Sequence, residues 1–479
     1  MMRYTPHLIA ALMLATPAMA QSVQTKQYDD GGIYEGQFLG GLQHGQGTYT
    51  LPNGYTYTGE WFEGEIRGQG TAQFPNGSIY EGQFAAGKPE GFGVINFADG
   101  GTYEGDWLDG KITGRGIARY ANGVVYEGDF RNAMHHGQGT MRSPGGYIYE
   151  GPWVNGVKEG DGTITYPDGA VYVGTLSDGE RQGVGTLTMP DGLIFEGTWQ
   201  AGQMTGTGRL IQPNGDIFEG DLVEGKRQGT GTVTYANGDV YAGGFDNDLR
   251  SGDGTFTGAD GYRYAGEWAA GQQHGQGEIT YTDGSTYVGS FVNGFSEGIG
   301  TITYSDGSSY SGEWSAGVIN GTGTATYVNG VVYEGDFLNG KNHGTGTIRY
   351  PDGYSYVGAW ANGKREGFGV ATFASGDVYE GTFNDGQRHG TGTLIKTDGF
   401  TYEGQWAMGE ISGLGVATYT NGDVYSGEFR SGRRQGEGTM TYAASGQEAT
   451  GDWQDGALVT QGAASPATDG VVVEDAASE

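Results

Sequence analysis

The sequence contains no cysteine, so neither a disulfide framework nor a thiolate metal site can form. Only 12 of its 479 residues are proline, which excludes a collagen-like chain, since that needs abundant proline and glycine at every third position. Basic residues are scarce: 25 Lys and Arg stand against 57 Asp and Glu, a net charge of −32. That is the reverse of the basic surface a nucleic-acid binder presents. After the N-terminal stretch, no apolar run approaches the ~20 residues that span a bilayer as a helix. What is abundant is glycine, 99 residues, roughly three times its usual share. Each glycine costs a helix interior about 1 kcal/mol, so long helices are excluded. Aromatics make up 13% of the chain, too many for a disordered linker. Glycine and aromatic rings together predict many short strands joined by tight turns.

Arg3, an apolar run from Leu8 to Leu14 and the Ala18-Met19-Ala20 ending form the pattern of a cleaved secretory signal. Residues 1–20 are therefore expected to be removed, leaving a chain that begins at Gln21 in a bacterial periplasm or outside the cell. Residues 21–27 read as a linker, 28–457 as a repeat array, and 458–479, which are small, polar and acidic, as a disordered tail.

The array is defined by its period. An aromatic residue followed by x-Gly recurs every 23 residues from Tyr34 to Tyr425, 18 copies without an insertion, and a degenerate copy ends at Trp453. With the leading aromatic as position 0, glycine always occupies +2, Trp, Phe or Leu +4, and all nine tryptophans fall at +4. Glycine recurs at +7, +11, +13 and +20, an apolar residue at +15 and usually Tyr or Phe at +17. Alternation of period two makes two strands, with 0, +2, +4, +13, +15 and +17 on one apolar face. Turns such as Pro167-Asp168-Gly169 and Pro351-Asp352-Gly353 fit a three-residue hairpin loop that pairs +17 with +21. Tyr34 at 0, Gly36 and Gly220 at +2, and Trp61, Trp107, Trp268 and Trp406 at +4 are read as structural, the glycines leaving room for rings over bare backbone.

These residues resemble the MORN repeat (membrane occupation and recognition nexus), a Y-x-G-x-W/F pattern followed by spaced glycines. Tyr103-Glu104-Gly105-Asp106-Trp107 and Tyr402-Glu403-Gly404-Gln405-Trp406 match it. The resemblance implies an all-β fold, an elongated single-layer antiparallel sheet of 18 to 19 tandem β-hairpin repeats, sometimes dimeric. Beyond the family pattern, +4 alternates between Phe or Leu and Trp, and the alternation slips at Phe245. A junction between two sub-arrays is expected near residues 245–250.

Several apparent motifs fail on chemistry. Gly105-x4-Gly110-Lys111 and its equivalents at Gly220 and Gly335 lack the Ser or Thr and the following helix of a phosphate loop. Histidines at +10 (His44, His136, His274, His343 and His389) are too far apart to share a metal ion. Near-identical units offer no unique catalytic constellation, so no enzyme activity, cofactor or metal is expected.

Two surfaces are candidates for binding. The aromatic face is either the core of the fold or a ligand platform. The second is a row of cations at +8 to +10, read as lying in connecting loops along one edge: Lys88, Lys111, Lys158, Arg181, Lys226, Arg227, Lys341, Lys364, Arg365, Arg388, Arg433 and Arg434. The expected function is a non-catalytic scaffold in the cell envelope that binds protein partners or itself. The alternatives are an anionic lipid or polymer on the basic edge and carbohydrate on the aromatic face. No nucleic-acid partner is expected.

Overall fold

The computed structural model describes residues 22–461, so the expected signal peptide and most of the expected tail lie outside the described residues. The chain divides into two compact units, one ending at Lys226 and the other beginning at Arg227. That division comes about one repeat before residues 245–250, where the slip in the Trp/Phe alternation had placed a junction.

Both units are built only of antiparallel strands, with no helix among the described residues. In the first, each strand pairs with its sequence neighbours from Gln24–Gln27 to Ile217–Val223. The second runs in the same way from Lys226–Thr234 to Ala457–Gln461. Two expected boundaries are corrected here. Residues 24–27 were read as linker but pair with Ile33–Gly36, and Ala457–Gln461, read partly as tail, closes the last hairpin.

A repeat contributes a seven-residue and a nine-residue strand, such as Ile79–Ala85 and Lys88–Asn96, the second being split into Val157–Lys158 and Gly160–Thr165 in one repeat. The turn within a repeat has only two residues, +6 and +7, and both are left-handed, as at Glu63 (φ 53°) and Gly64 (φ 90°). This mirror-image turn matches the twist of the flanking strands and selects Asn-Gly and Asp-Gly pairs. Ala133 (φ 63°) and Asp248 (φ 70°) adopt it in place of glycine.

The turn between repeats is the expected three-residue loop. The Leu51 N–H donates to Tyr55 O (2.8 Å) and the Gly54 N–H to Leu51 O (3.0 Å), closing +17 on +21. Asn53 Oδ1 accepts from the Tyr55 N–H (3.0 Å), which explains why Asn or Asp precedes this glycine.

A second irregularity was not foreseen. Gly36 pairs with Gly47 (+2 with +13), but Phe38 pairs with Gln43 (+4 with +9), so one residue on the first strand opposes three on the second. The glycine at +11 makes this bulge by turning left-handed, as at Gly45 (φ 66°) and Gly68 (φ 88°). The bulge resets the alternation, and +9 therefore shares the aromatic face with +4.

The core is this aromatic face, and it needs no second layer. Tyr34 is 0% exposed and Trp61 6%. A Cβ on Gly36 would lie 2.4 Å from Tyr34 Oη and 2.5 Å from Gly47 Cα, so each tyrosine lies directly on the +2 and +13 glycines. Gly220 has the same place, paired with Gly208. Where both +4 positions carry rings, the tyrosine at 0 meets its own +4 ring and that of the next repeat edge-on. Tyr34 does so with Phe38 and Trp61, both with centroids 5.0 Å apart, a geometry that stabilises by about 0.5–1.5 kcal/mol per pair.

Candidate functional site

Backbone hydrogen bonds tie the rings down. Tyr34 Oη donates to Gln37 O (2.9 Å). Trp61, Trp107, Trp268 and Trp406 donate Nε1–H to Gly47, Gly93, Gly254 and Gly392 carbonyls at 3.0–3.3 Å. Burial also pushes the tyrosine phenols up, to about 12 at Tyr80 and Tyr402. Trp61, Trp107, Trp268 and Trp406 are all buried, which removes them as the exposed stacking platform that a carbohydrate would use.

The twelve cations read as one loop edge are not in loops. They open the second strand of each hairpin, and neighbouring positions face opposite ways. Lys88, Lys111, Lys226, Lys341, Lys364 and Arg433 occupy +8, opposite +5 on the face away from the rings, and all are exposed. Three of them meet an acid on the next repeat's turn: Lys88 with Asp109, Lys364 with Asp385, and Arg433 with Asp455 (3.7 Å). Such exposed pairs are screened by solvent and add little to stability.

Lys158, Arg181, Arg227, Arg365, Arg388 and Arg434 occupy +9 and turn onto the aromatic face, each half-buried. Arg181, Arg388 and Arg434 place Cζ 4.2, 4.3 and 4.5 Å from the +4 tryptophan of the following repeat. Their guanidinium N–H groups donate to the carbonyl of its +7 glycine, for example Arg388 to Gly409 (2.7 Å). Arg227 instead binds Asp248, which stands where that glycine would be, through N and Nε to Oδ1 (3.0 and 3.2 Å). Lys158 lies over Tyr147 and Tyr149, and burial lowers its pKa.

Position +9 is thus a variable residue set among constant glycines at +2, +11 and +13. Among its other occupants are Ile66, Pro89, Ile112, His135, Met204, Arg250, Gln273, Ser296 and Asn342. The residue lines a groove at several places along the array. One of about 280 Å³ contains Ile112, one of about 340 Å³ Arg250 and Gln273, and one of about 200 Å³ Arg365 and Arg388.

At His135 the imidazole stacks on Tyr126 (centroids 3.7 Å) and meets Tyr120 Oη at 2.7 Å. Burial lowers its pKa to about 4. The folded state therefore holds the neutral ring, and protonation favours unfolding. Its stabilisation is complete above the ordinary value of ~6.5 and is lost as pH falls to about 4. The urea midpoint should drop more steeply across that window for the natural chain than for His135→Met; parallel curves would refute this.

Among the described residues no group of three His, Asp or Glu could hold a metal ion. The +10 histidines lie on the other face, and His44 rests near Phe62 (5.3 Å).

The MORN repeat family profile matches 18 segments, beginning with residues 34–54 and ending with 425–447. No curated protein matches the chain. Among solved structures, the chain is similar to the TCP domain of Drosophila melanogaster SAS-4 (dCPAP), solved in complex with a proline-rich motif of Ana2 (dSTIL). The identity is 13%, with 46% of this chain and 99% of that one covered and a TM-score of 0.21. A wild-type TCP10 domain of Danio rerio CPAP, in complex with a STIL peptide, shares 14% identity over 56% of this chain and 93% of its own, with a TM-score of 0.18. At such scores these likenesses carry no argument about what this chain does. The profile matches, together with the ring-on-glycine lattice they describe, establish that the chain belongs to the MORN repeat family.

Proposed function

We propose that the chain is an exported, non-catalytic interaction scaffold that recognises protein partners through the grooves of its aromatic face. The observation that carries this is the +9 row. The glycines around it at +2, +11 and +13 are constant, while the groove floor changes from Ile112 to His135, Lys158 and Arg181 in consecutive repeats. A rigid frame that varies one side chain per unit presents a linear series of chemically distinct subsites, which suits an extended partner better than a reaction. Export rests on the leader pattern at residues 1–20.

The test is a photo-crosslinking residue placed at Met408 on a groove rim (82% exposed) or at Leu414 on the opposite face (60% exposed) in the native host. Met408 should capture a small, reproducible set of proteins and Leu414 few of them. Equal capture from both faces, or none, would overturn the assignment.

A second reading, contact with an anionic envelope lipid or polymer, is favoured by the exposed +8 row. The turn acids beside Lys88, Lys364 and Arg433 and the net charge of −32 both weaken it.

A further inference from the structure

The groove between Arg365 and Arg388 is lined by Tyr354, Phe373, Phe383 and Met408, and no acidic side chain lines it. Arg365 donates to Tyr354 Oη and to Gly386 O (2.7 Å), and Arg388 to Gly409 O (2.7 Å). A guanidinium carries five N–H donors, so each keeps several without an acceptor among the described residues. Neither arginine has a carboxylate within ion-pair distance among the described residues, in a chain with 57 acids. The equivalent guanidinium of Arg227 shows what this position accepts: it is held by the Asp248 carboxylate at 3.2 Å.

We propose that this groove receives an extended acidic peptide of a partner protein, in the polyproline II conformation, with carboxylates three residues apart on Arg365 and Arg388. The two arginines are one repeat, hence two strands, apart, or about 9–10 Å at ordinary strand spacing. A polyproline II helix rises ~3.1 Å per residue with three residues per turn, so residues i and i+3 share a side ~9.3 Å apart. A β-strand returns to the same side at about 6.6 and 13 Å and fits neither arginine pair. The flanking rings suit the same ligand: Tyr354 meets Tyr350 at 5.3 Å and Phe373 at 5.6 Å, an aromatic wall of the kind on which proline-rich segments pack. A flat anionic membrane fits poorly, because both guanidiniums are half-buried on the groove floor while Met408 projects at the rim.

This inference rests on the scaffold reading and names the partner chemistry of one subsite. The full chain would be titrated with a fluorescently labelled peptide of repeating Pro-Pro-Glu, with its Pro-Pro-Gln counterpart as control, and separately with phosphatidylglycerol vesicles. Met204 fills +9 at 3% exposure, so Arg365→Met with Arg388→Met should fold, which circular dichroism would verify. The glutamate peptide should bind the natural chain, weaken with salt, and lose at least about tenfold in affinity to the double variant. Failure of the natural chain to bind it, equal binding of the glutamine peptide, or unchanged affinity in the variant would overturn the proposal. So would vesicle binding that depends on the two arginines in the absence of peptide binding. Should the peptide fail while Met408 still captures proteins in cells, the inference falls and the scaffold reading stands.

Discussion

Gly404→Val is expected to unfold the repeats around it while leaving distant ones intact. A Cβ at Gly404 would lie 2.4 Å from Gly415 Cα, 2.5 Å from Tyr402 Oη and 2.6 Å from Leu414 O. Two of these are backbone atoms of the paired strand, which cannot swing aside as a side chain can. Overpacking ordinarily costs about 1–3 kcal/mol, and rigid neighbours put this substitution at about 3 kcal/mol or more. The tyrosine that must lift from its glycine bed also touches Trp406 and Phe429, so the damage passes to the next repeat. Because a repeat array couples mainly to nearest neighbours, it should fade from there. Hydrogen exchange should show lost protection in Thr401–Ala407 and Glu410–Thr418 and unchanged protection in the first unit. Gly432→Ala is the control. At φ 76° with nothing within 4 Å of its Cβ, it should cost only about 1 kcal/mol for the left-handed conformation. Uniform loss of protection along the chain would contradict nearest-neighbour coupling.

The same lattice explains what the sequence could disclose. Spacing alone located both strands, the shared face of 0, +4 and +15, and the three-residue loop, because side-chain alternation and Asp-Gly turns are local properties of the chain. The direction of +9 was not visible in that way. It depends on the sign of φ at +11, and glycine reads the same in sequence whether it serves as a spacer or as a left-handed bulge. The cations at +8 to +10 were therefore pooled into one loop edge that the structure splits between two faces. Two signals were available. Asn155-Gly156 and Asn362-Gly363 at +6 and +7 are strong two-residue turn pairs, which place +8 already in a strand. Ile66, Ile112, Ile319 and Ile411 at +9 mark that position as partly buried. Of the two readings of the aromatic face, the core holds, since glycine backbone on one side and neighbouring rings on the other enclose each tyrosine.

Alkaline pH should dismantle the array cooperatively. Burial pushes the phenols of Tyr80, Tyr172, Tyr241, Tyr264, Tyr310, Tyr356, Tyr379, Tyr402 and Tyr425 up to about 12. In the unfolded chain the same groups ionise near ~10. A phenol whose folded pKa is raised binds its proton more tightly in the native state, so its stabilisation is complete below ~10 and is lost as pH climbs toward about 12. One such group would matter little. Here the groups recur in every repeat but those led by Phe195 and Phe218, so their losses sum along the lattice rather than at one site. Circular dichroism and phenolate absorbance should then change together, in a single steep step between these values. Phe195 and Phe218 show that position 0 tolerates a ring without the hydroxyl. Tyr379→Phe, Tyr402→Phe and Tyr425→Phe combined should therefore hold the C-terminal repeats folded to higher pH. The cost at neutral pH is about 1 kcal/mol for each lost hydrogen bond, such as that from Tyr402 to Gln405 O. Free titration of the phenols near pH ~10 with the strands intact would show that the rings are not held as described.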